Sequence, residues 1–139
     1  MLMSELNERL AKTRVDVLIP AAGSRLISKV MIEPMIANGL ELIASGANVP
    51  FQDEEIFFGP TGLYADNTVA VIPDFIANCG MARVFAYLMQ TNQEITEQNI
   101  FADVSHTIEN ILKKVQLVHP EKTKISQKAM EIVLNSINN

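Results

Sequence analysis

The sequence predicts an α/β fold in which a short parallel sheet lies between helices and a pair of helices follows at the C-terminus. Short apolar runs rich in β-branched residues alternate with segments of helical periodicity, which is typical of parallel strands joined by helical crossovers. The last third of the 139 residues has helical periodicity alone. A chain of this length suits one domain. We therefore predict a single domain over 1–139, with an α/β part over 1–90 and C-terminal helices over 91–139.

Three apolar runs bounded by turn-forming residues are the predicted strands. They occupy residues 15–19, 40–44 and 68–72. Each run is nearly continuous in apolar residues, as expected for a strand that is buried on both faces of a parallel sheet. Helix-like segments lie between or after them.

The segment between the first two strands has the pattern of a helix that a proline interrupts. Ser24 is the predicted N-cap, because its hydroxyl can accept a hydrogen bond from the first turn. Pro34 disfavours the helical conformation at its own position and at Glu33. We therefore expect two short helical pieces, the second ending at Asn38-Gly39. The predicted buried face of the first piece consists of Leu26, Ile27, Val30 and Met31.

The connection over residues 49–67 is rich in glycine and proline, and we expect one short helix near 53–57. Its aromatic residues are expected to hold the loop against the body of the domain. They are Phe51, Phe57, Phe58 and Tyr64.

Two amphipathic helices are predicted near the C-terminus, one after Thr96 and one after Thr123, separated by His119-Pro120. Apolar residues recur at helical spacing in both. They are Phe101, Val104, Ile108, Ile111 and Val115 in the first, and Ile125, Ala129, Ile132, Val133 and Ile137 in the second.

Composition excludes several classes of protein. The net charge of −5, without any basic cluster, argues against a nucleic-acid partner. No uncharged apolar run reaches the length of about 18 residues that a membrane span needs. The start, MLMSELNERLAK, is charged and amphipathic, unlike a signal peptide. Cys79 is the only cysteine, which precludes an intrachain disulfide and favours a cytoplasmic location.

Small and amide side chains follow the predicted strands. An open parallel sheet binds ligands beyond the carboxyl ends of its strands, and here these exits are PAAG at 20–23, SGAN at 45–48 and PD at 73–74 leading to NCG at 78–80. Small residues would let a flat ligand approach the backbone, and the amides of Asn48 and Asn78 could bind a carboxamide or a ribose hydroxyl. Gly80 would permit close helix packing or close ligand approach. The alternative is that both asparagines are ordinary turn or N-cap residues.

Three ordered motifs resemble those of the glutamate, leucine, phenylalanine and valine dehydrogenases. They are IPAA at 19–22, ASGANVP at 44–50 and VIPDFIANCG at 71–80; family members read roughly IPAA, EGAN-x-P and VIPD-x-x-x-NAGG. The resemblance covers residues 15–90 well and the remainder loosely. It implies a partial Rossmann-like three-layer αβα domain, equivalent to the second half of a nucleotide-binding domain, and NAD or NADP as cofactor.

The resemblance also implies roles for individual residues. Asn48 would lie near the nicotinamide ribose and the substrate, and Asn78 near the nicotinamide carboxamide. Ala21 and Ala22 would line the cofactor cleft. Phe85 stands where the family sets side-chain specificity, and a phenylalanine there suits an apolar amino acid or 2-oxo acid rather than glutamate.

The sequence departs from the family in two respects. Met81 replaces the second glycine of NAGG. The chain also has no glycine-rich GxGxxG turn, which would bind the pyrophosphate, and no part that matches the family's lysine-bearing substrate domain. We therefore assign no catalytic residue and expect no hydride transfer by this chain alone.

Other chemistry has little support. Cys79 with His106 or His119 could form a thiol nucleophile, but a lone cysteine among apolar residues is usually buried and inert. The acidic run at 53–55 has no histidine partner and reads as a solvated helix start, so we predict no metal site.

Two functions therefore remain open. The first is the C-terminal part of an NAD(P)-dependent amino-acid dehydrogenase, which would convert an L-amino acid to a 2-oxo acid and ammonia. The second is a degenerate, noncatalytic half-domain that acts in assembly or regulation. In both cases we expect a homo-oligomer formed through the exposed sheet edge near residues 15–19, because unpaired strand edges associate.

Overall fold

The computed structural model describes residues 3–137, within which three short strands form one parallel sheet. The strands are β1 (Val17–Leu18), β2 (Leu42–Ala44) and β3 (Ala70–Ile72), with β2 in the centre. Ile43 pairs with Leu18 on one side and with Val71 on the other. The α/β class with a short parallel sheet is thus confirmed.

Each strand is shorter than the apolar run that predicted it, and in β2 and β3 the start of the run completes the preceding helix. The backbone N–H of Leu40 donates to the carbonyl of Met35, and that of Val69 donates to the carbonyl of Ala65. These donors are used by helix ends and do not enter the sheet.

Seven helices accompany the sheet in the described part of the chain, and they lie on both of its faces, as in a partial Rossmann-like αβα domain. The first three and the last two belong to opposite layers. The helices are α1 (Met3–Lys12), α2 (Lys29–Ala37), α3 (Pro60–Thr68), α4 (Asp74–Ala77), α5 (Gly80–Leu88), α6 (Glu97–Val118) and α7 (Ile125–Ile137). None of those described is both long and apolar enough to cross a membrane. Of the predicted N-terminal amphipathic segment, Met1 and Leu2 lie outside the described residues.

The main core lies between α2, α3 and one face of the sheet. Ile43 from β2 and Val71 from β3 are 0% and 1% exposed. They pack with Ile32 and Met35 of α2 and with Ala65 of α3. Apolar burial of this kind supplies most of the stability of a small domain.

The helix α2 corrects two expectations. Its N-cap is Ser28, whose hydroxyl accepts from the N–H of Met31, so Ser24 is not the cap. Pro34 lies inside the continuous helix and does not divide it. Pro34 cannot donate the bond that would reach the carbonyl of Val30, but Val30 is 83% exposed, so water can replace the missing donor. Burial of the apolar face of α2, which includes Ile32 and Met35, therefore outweighs the preference of proline against the helix interior.

The end of α2 follows the prediction: Asn38 is the C-cap and Gly39 has a φ of +104°. The predicted apolar face is only partly correct. Ile27 and Met31 are buried, but Ile27 precedes the helix and pairs with Phe51 in an isolated β-bridge.

The predicted helix near 53–57 is wrong; the helix of this connection is α3, which begins at Pro60. Asp53 instead binds the start of α3, where its carboxylate accepts from Thr61 N–H at 3.0 Å and from Gly62 N–H at 2.9 Å. Burial alone would raise the pKa of Asp53, but these two hydrogen bonds hold it below its ordinary value. Gly59, the N-cap, has no side chain to do this, so Asp53 replaces the missing cap.

The aromatic residues of this connection divide into two groups. Phe51 and Tyr64 pack against the main core, as expected. Phe57 and Phe58 are 51% and 37% exposed, although Phe57 makes an edge-to-face contact with Phe75 at a centroid distance of 6.4 Å.

The two C-terminal helices are confirmed as α6 and α7. Thr96 caps α6 by accepting from the N–H of Asn99. Val115 of α6 and Ala129 of α7 form a second buried cluster with Ile76 of α4. Ile72 of β3 packs against this cluster, so the C-terminal helices cover the second face of the sheet at β3.

Asp66 joins α3 to α7. Its side chain is 1% exposed, and its carboxylate accepts from the backbone N–H groups of Ser126 and Gln127 at 2.9 and 3.2 Å. The side-chain amide of Gln127 donates to it as well, at 3.0 Å. A buried carboxylate on α3 therefore caps the first turn of α7, where the helix dipole favours negative charge.

The second face of the sheet stays partly open towards β1. Val17 and Leu42 are paired and share this face; Val17 is 49% exposed and Leu42 is half-buried. Leu42 and Ala70 line a groove of about 260 Å³ whose other wall is the turn between α6 and α7.

Candidate cofactor-binding site

The two asparagines proposed from the sequence meet at the carboxyl ends of the parallel strands. The side-chain N–H of Asn78 donates to the side-chain oxygen of Asn48 at 2.8 Å. Both residues are exposed. A direct bond between residues 30 positions apart shows that these two strand exits converge on one side of the molecule.

The loop after β1 lies on the same side of the molecule, close to the loop after β2, because Gly46 has no side chain. A Cβ atom added to Gly46 would lie 3.2 Å from the Cβ of Ala21 and 3.4 Å from Cγ2 of Ile19. Gly46 therefore lets the loop that contains Ala21 approach the loop that ends in Asn48. Ala22 is exposed in the loop after β1.

Two hydrogen bonds fix all three exits relative to one another. The carboxylate of Asp74, at the start of α4, accepts from the N–H of Val49 at 2.8 Å. The carbonyl of Val49 accepts from the N–H of Arg25 at 2.7 Å. The backbones of Val49 and Arg25 both adopt left-handed conformations, with φ of +47° and +56°.

Helix α5, which begins two residues after Asn78, presents an apolar surface. Phe85 is 60% exposed and Met81 is 66% exposed. With Leu88 and Met89 they follow helical spacing along one side, so Phe85 lies on an open apolar surface and not in a closed pocket. A Cβ at Gly80 would meet no atom within 4 Å, so Gly80 does not serve close helix packing.

The cationic side chain of α5 is already paired. Arg83 makes a bidentate contact with Asp103 of α6, with its Nη2 at 2.7 Å from one carboxylate oxygen and its Nε at 2.5 Å from the other. The hydrogen bonds from Arg83 lower the pKa of Asp103. This ion pair joins α5 to α6, and the guanidinium of Arg83 is bound to the Asp103 carboxylate.

Comparison with known sequences decides the family. A family profile described as Glutamate/Leucine/Phenylalanine/Valine dehydrogenase matches residues 3–139.

The chain belongs to the glutamate/leucine/phenylalanine/valine dehydrogenase family.

A curated relative is the NAD-specific glutamate dehydrogenase A of Halobacterium salinarum, 39% identical over 89 residues. The aligned part is 63% of this chain and 19% of the relative, so the match spans about one fifth of that dehydrogenase's length.

The residues present fit one end of a dinucleotide. Asn48 and Asn78 offer exposed donors and acceptors, and the small residue Ala21 lies beside the loop of Asn48, which leaves space for a flat ring such as nicotinamide. The pyrophosphate part of the dinucleotide has no matching motif, because the sequence contains no glycine-rich turn that would bind it. The site of this dehydrogenase-family chain therefore suits the nicotinamide side of the cofactor.

Sequence reasoning missed the residues that hold the site in place. Asp74 lies in the Pro-Asp pair after β3, and a carboxylate in the first turn of a helix commonly accepts from backbone N–H groups, which could have suggested its role. Val49 gave no signal, because β-branched residues rarely adopt positive φ and residues before proline favour extended backbone.

Proposed function

We propose that this chain forms the nicotinamide side of an NAD(P)-dependent amino-acid dehydrogenase, which converts an L-amino acid to a 2-oxo acid and ammonia. The observation that carries the proposal is the 2.8 Å hydrogen bond between Asn78 and Asn48 at the strand exits. Hydride transfer would require a further chain segment with a phosphate-binding turn and catalytic lysines, so these 139 residues are inactive by themselves. The name of the Halobacterium relative favours NAD over NADP.

The asparagine pair can recognise a carboxamide. Their mutual bond uses one hydrogen of Asn78 and the oxygen of Asn48. Within the part of the chain that the structure describes, this leaves the oxygen of Asn78 and the NH₂ group of Asn48 open to a ligand. The nicotinamide carboxamide has the complementary donors and acceptor. When bound, the nicotinamide ring supplies the hydride acceptor, and the asparagines orient it.

The substrate that best suits this site is an apolar amino acid. Phe85 and Met81 present an apolar surface on α5. Arg83, the cation of the same helix, is bonded to Asp103 and so does not serve a distal carboxylate. Glutamate would therefore lack a charge partner on α5.

A second candidate is a noncatalytic half-domain that regulates or assembles with a complete relative. The exposed Met81 favours it, because a bulky side chain replaces glycine directly after Gly80. In either case we place the protein in the cytoplasm, where a single cysteine needs no disulfide partner.

Titration with nicotinamide mononucleotide tests the proposed function. The ligand at millimolar concentration is expected to shift the side-chain NH₂ resonances of Asn48 and Asn78 in ¹⁵N–¹H NMR spectra. Asn78→Ala is expected to weaken binding about fivefold, since one net hydrogen bond contributes about 1 kcal/mol. Asn67→Ala, which removes an exposed asparagine of α3, is the matched control and should bind normally.

Two results would contradict the proposal. If the ligand shifts neither asparagine, the strand exits do not bind nicotinamide. If the isolated chain binds NADH at micromolar concentration, the phosphate-binding half is not required and the half-site assignment fails.

We also propose that the chain forms homo-oligomers through the free edge of β1. Within the described residues β1 is an edge strand of the sheet, Val17 and Ile19 next to this edge are 49% and 64% exposed, and the unpaired backbone groups of edge strands associate. Light scattering should show a mass that rises with protein concentration. Val17→Lys should abolish that rise, whereas Val30→Lys, at an 83% exposed valine of α2, should not. A monomer at high concentration would refute this interface.

A further inference from the structure

The loop that carries Asn48 contains an unfavourable backbone conformation. Val49 has a φ of +47°, which is rare for a β-branched residue. It also precedes Pro50, and a residue before proline strongly favours extended backbone. Such a conformation costs about 1–3 kcal/mol and persists only where neighbouring groups enforce it.

Two hydrogen bonds enforce it here. The carboxylate of Asp74 accepts from the N–H of Val49 at 2.8 Å, and the N–H of Arg25 donates to the carbonyl of Val49 at 2.7 Å. The Asp74 carboxylate is therefore the side-chain group that holds Val49 in its left-handed conformation.

Asp74 also fixes the second asparagine. Its backbone carbonyl accepts from the N–H of Asn78 at 2.8 Å, closing α4, while its second carboxylate oxygen accepts from the N–H of Phe75 at 2.9 Å. One residue thus holds the backbone of Asn78 through its carbonyl and the backbone next to Asn48 through its carboxylate.

We infer that Asp74 is a positioning residue that sets the geometry of the Asn48–Asn78 pair. It contacts neither side-chain amide and acts through the backbone of Val49. The inference rests on the proposed function, because the geometry of the pair matters for activity only if the pair binds nicotinamide.

The test uses the side-chain NH₂ resonance of Asn78 without ligand, followed by titration with nicotinamide mononucleotide. In Asp74→Ala the resonance should move towards that of a free asparagine, and binding should weaken by no more than the roughly fivefold loss expected of Asn78→Ala. Asp74→Asn should retain part of the wild-type Asn78 chemical shift and part of the binding affinity. The reason is that an amide oxygen can still accept from the N–H of Val49. Asp103→Ala, which removes the α6 carboxylate that is bonded to Arg83 of α5, is the matched control and should leave the Asn78 resonance in place.

A double variant separates positioning from general stability. Glycine adopts positive φ without strain, so Asp74→Ala combined with Val49→Gly should recover at least half of the lost binding, although it does not restore the missing carboxylate. If Asp74→Ala and Asp74→Asn lower the unfolding midpoint and leave the Asn78 resonance unchanged, the role is only structural and the inference fails. If the resonance moves but the wild-type chain binds no nicotinamide mononucleotide, the proposed function fails and the positioning role stands.

Discussion

Asp66→Ala is expected to lower the free energy of unfolding by about 3 kcal/mol, which is a large share of the 5–15 kcal/mol typical of a domain. The substitution removes a carboxylate that is 1% exposed and accepts three hydrogen bonds from Ser126 and Gln127. The N–H groups of Ser126 and Gln127, which are partly buried, would then lose their acceptor, and loss of a cap alone costs about 1 kcal/mol. Urea unfolding followed by circular dichroism measures the effect.

Two further variants make this prediction specific. Asp66→Asn keeps one acceptor oxygen, so it should lose less than Asp66→Ala. Asp16→Ala removes an exposed carboxylate and should stay within about 0.5 kcal/mol of the wild type. Equal small losses for Asp66→Ala and Asp16→Ala would show that Asp66 does not hold α7.

Ile43→Ala is expected to lower the free energy of unfolding by about 3 kcal/mol, because it leaves a cavity in the main core. Ile43 is 0% exposed on the central strand β2 and packs between α2 and α3. The adjacent Leu42 points to the opposite face and lines the open groove of about 260 Å³. Leu42→Ala should therefore cost only about 1 kcal/mol, since its side chain is half-buried and water can enter the space it leaves.

Comparing the stability losses of Leu42→Ala and Ile43→Ala tests whether the open face of the sheet is covered in solution. A loss at Leu42 as large as that at Ile43, growing with protein concentration, would mean that a second copy covers this face in solution. A loss below about 1 kcal/mol at Ile43 would contradict the placement of the main core.

The parts of the fold that the sequence predicted correctly are those where local pattern and burial agree. The β-branched runs around Ile43 and Val71 form strands, and the periodic segments after Thr96 and Thr123 form α6 and α7. At Pro34 the two disagree: the local preference predicts a break, but burial of Ile32 and Met35 keeps the helix continuous. Such tertiary effects cannot be read from local composition.

The sequence predicted the candidate site only in part, because distant contacts also determine its geometry. The positions of Asn48 and Asn78 follow from strand order, because parallel strands end at one edge. The residues that hold them, Asp74 and Val49, depend on hydrogen bonds between segments 25 residues apart. Asp66 likewise reaches α7 across 60 positions. Contacts at such separations leave no periodic trace in the chain.

The left-handed conformation of Val49 has a consequence for the thermodynamics of recognition. A loop held in one shape before a ligand arrives loses little conformational entropy on association, whereas ordering a mobile side chain costs about 0.5–1.5 kcal/mol. At the proposed nicotinamide site, the strained turn would lower the stability of the free protein and reduce the entropy lost on ligand binding. Preorganisation of this sort would let even a shallow, exposed pair of amides discriminate between ligands by shape.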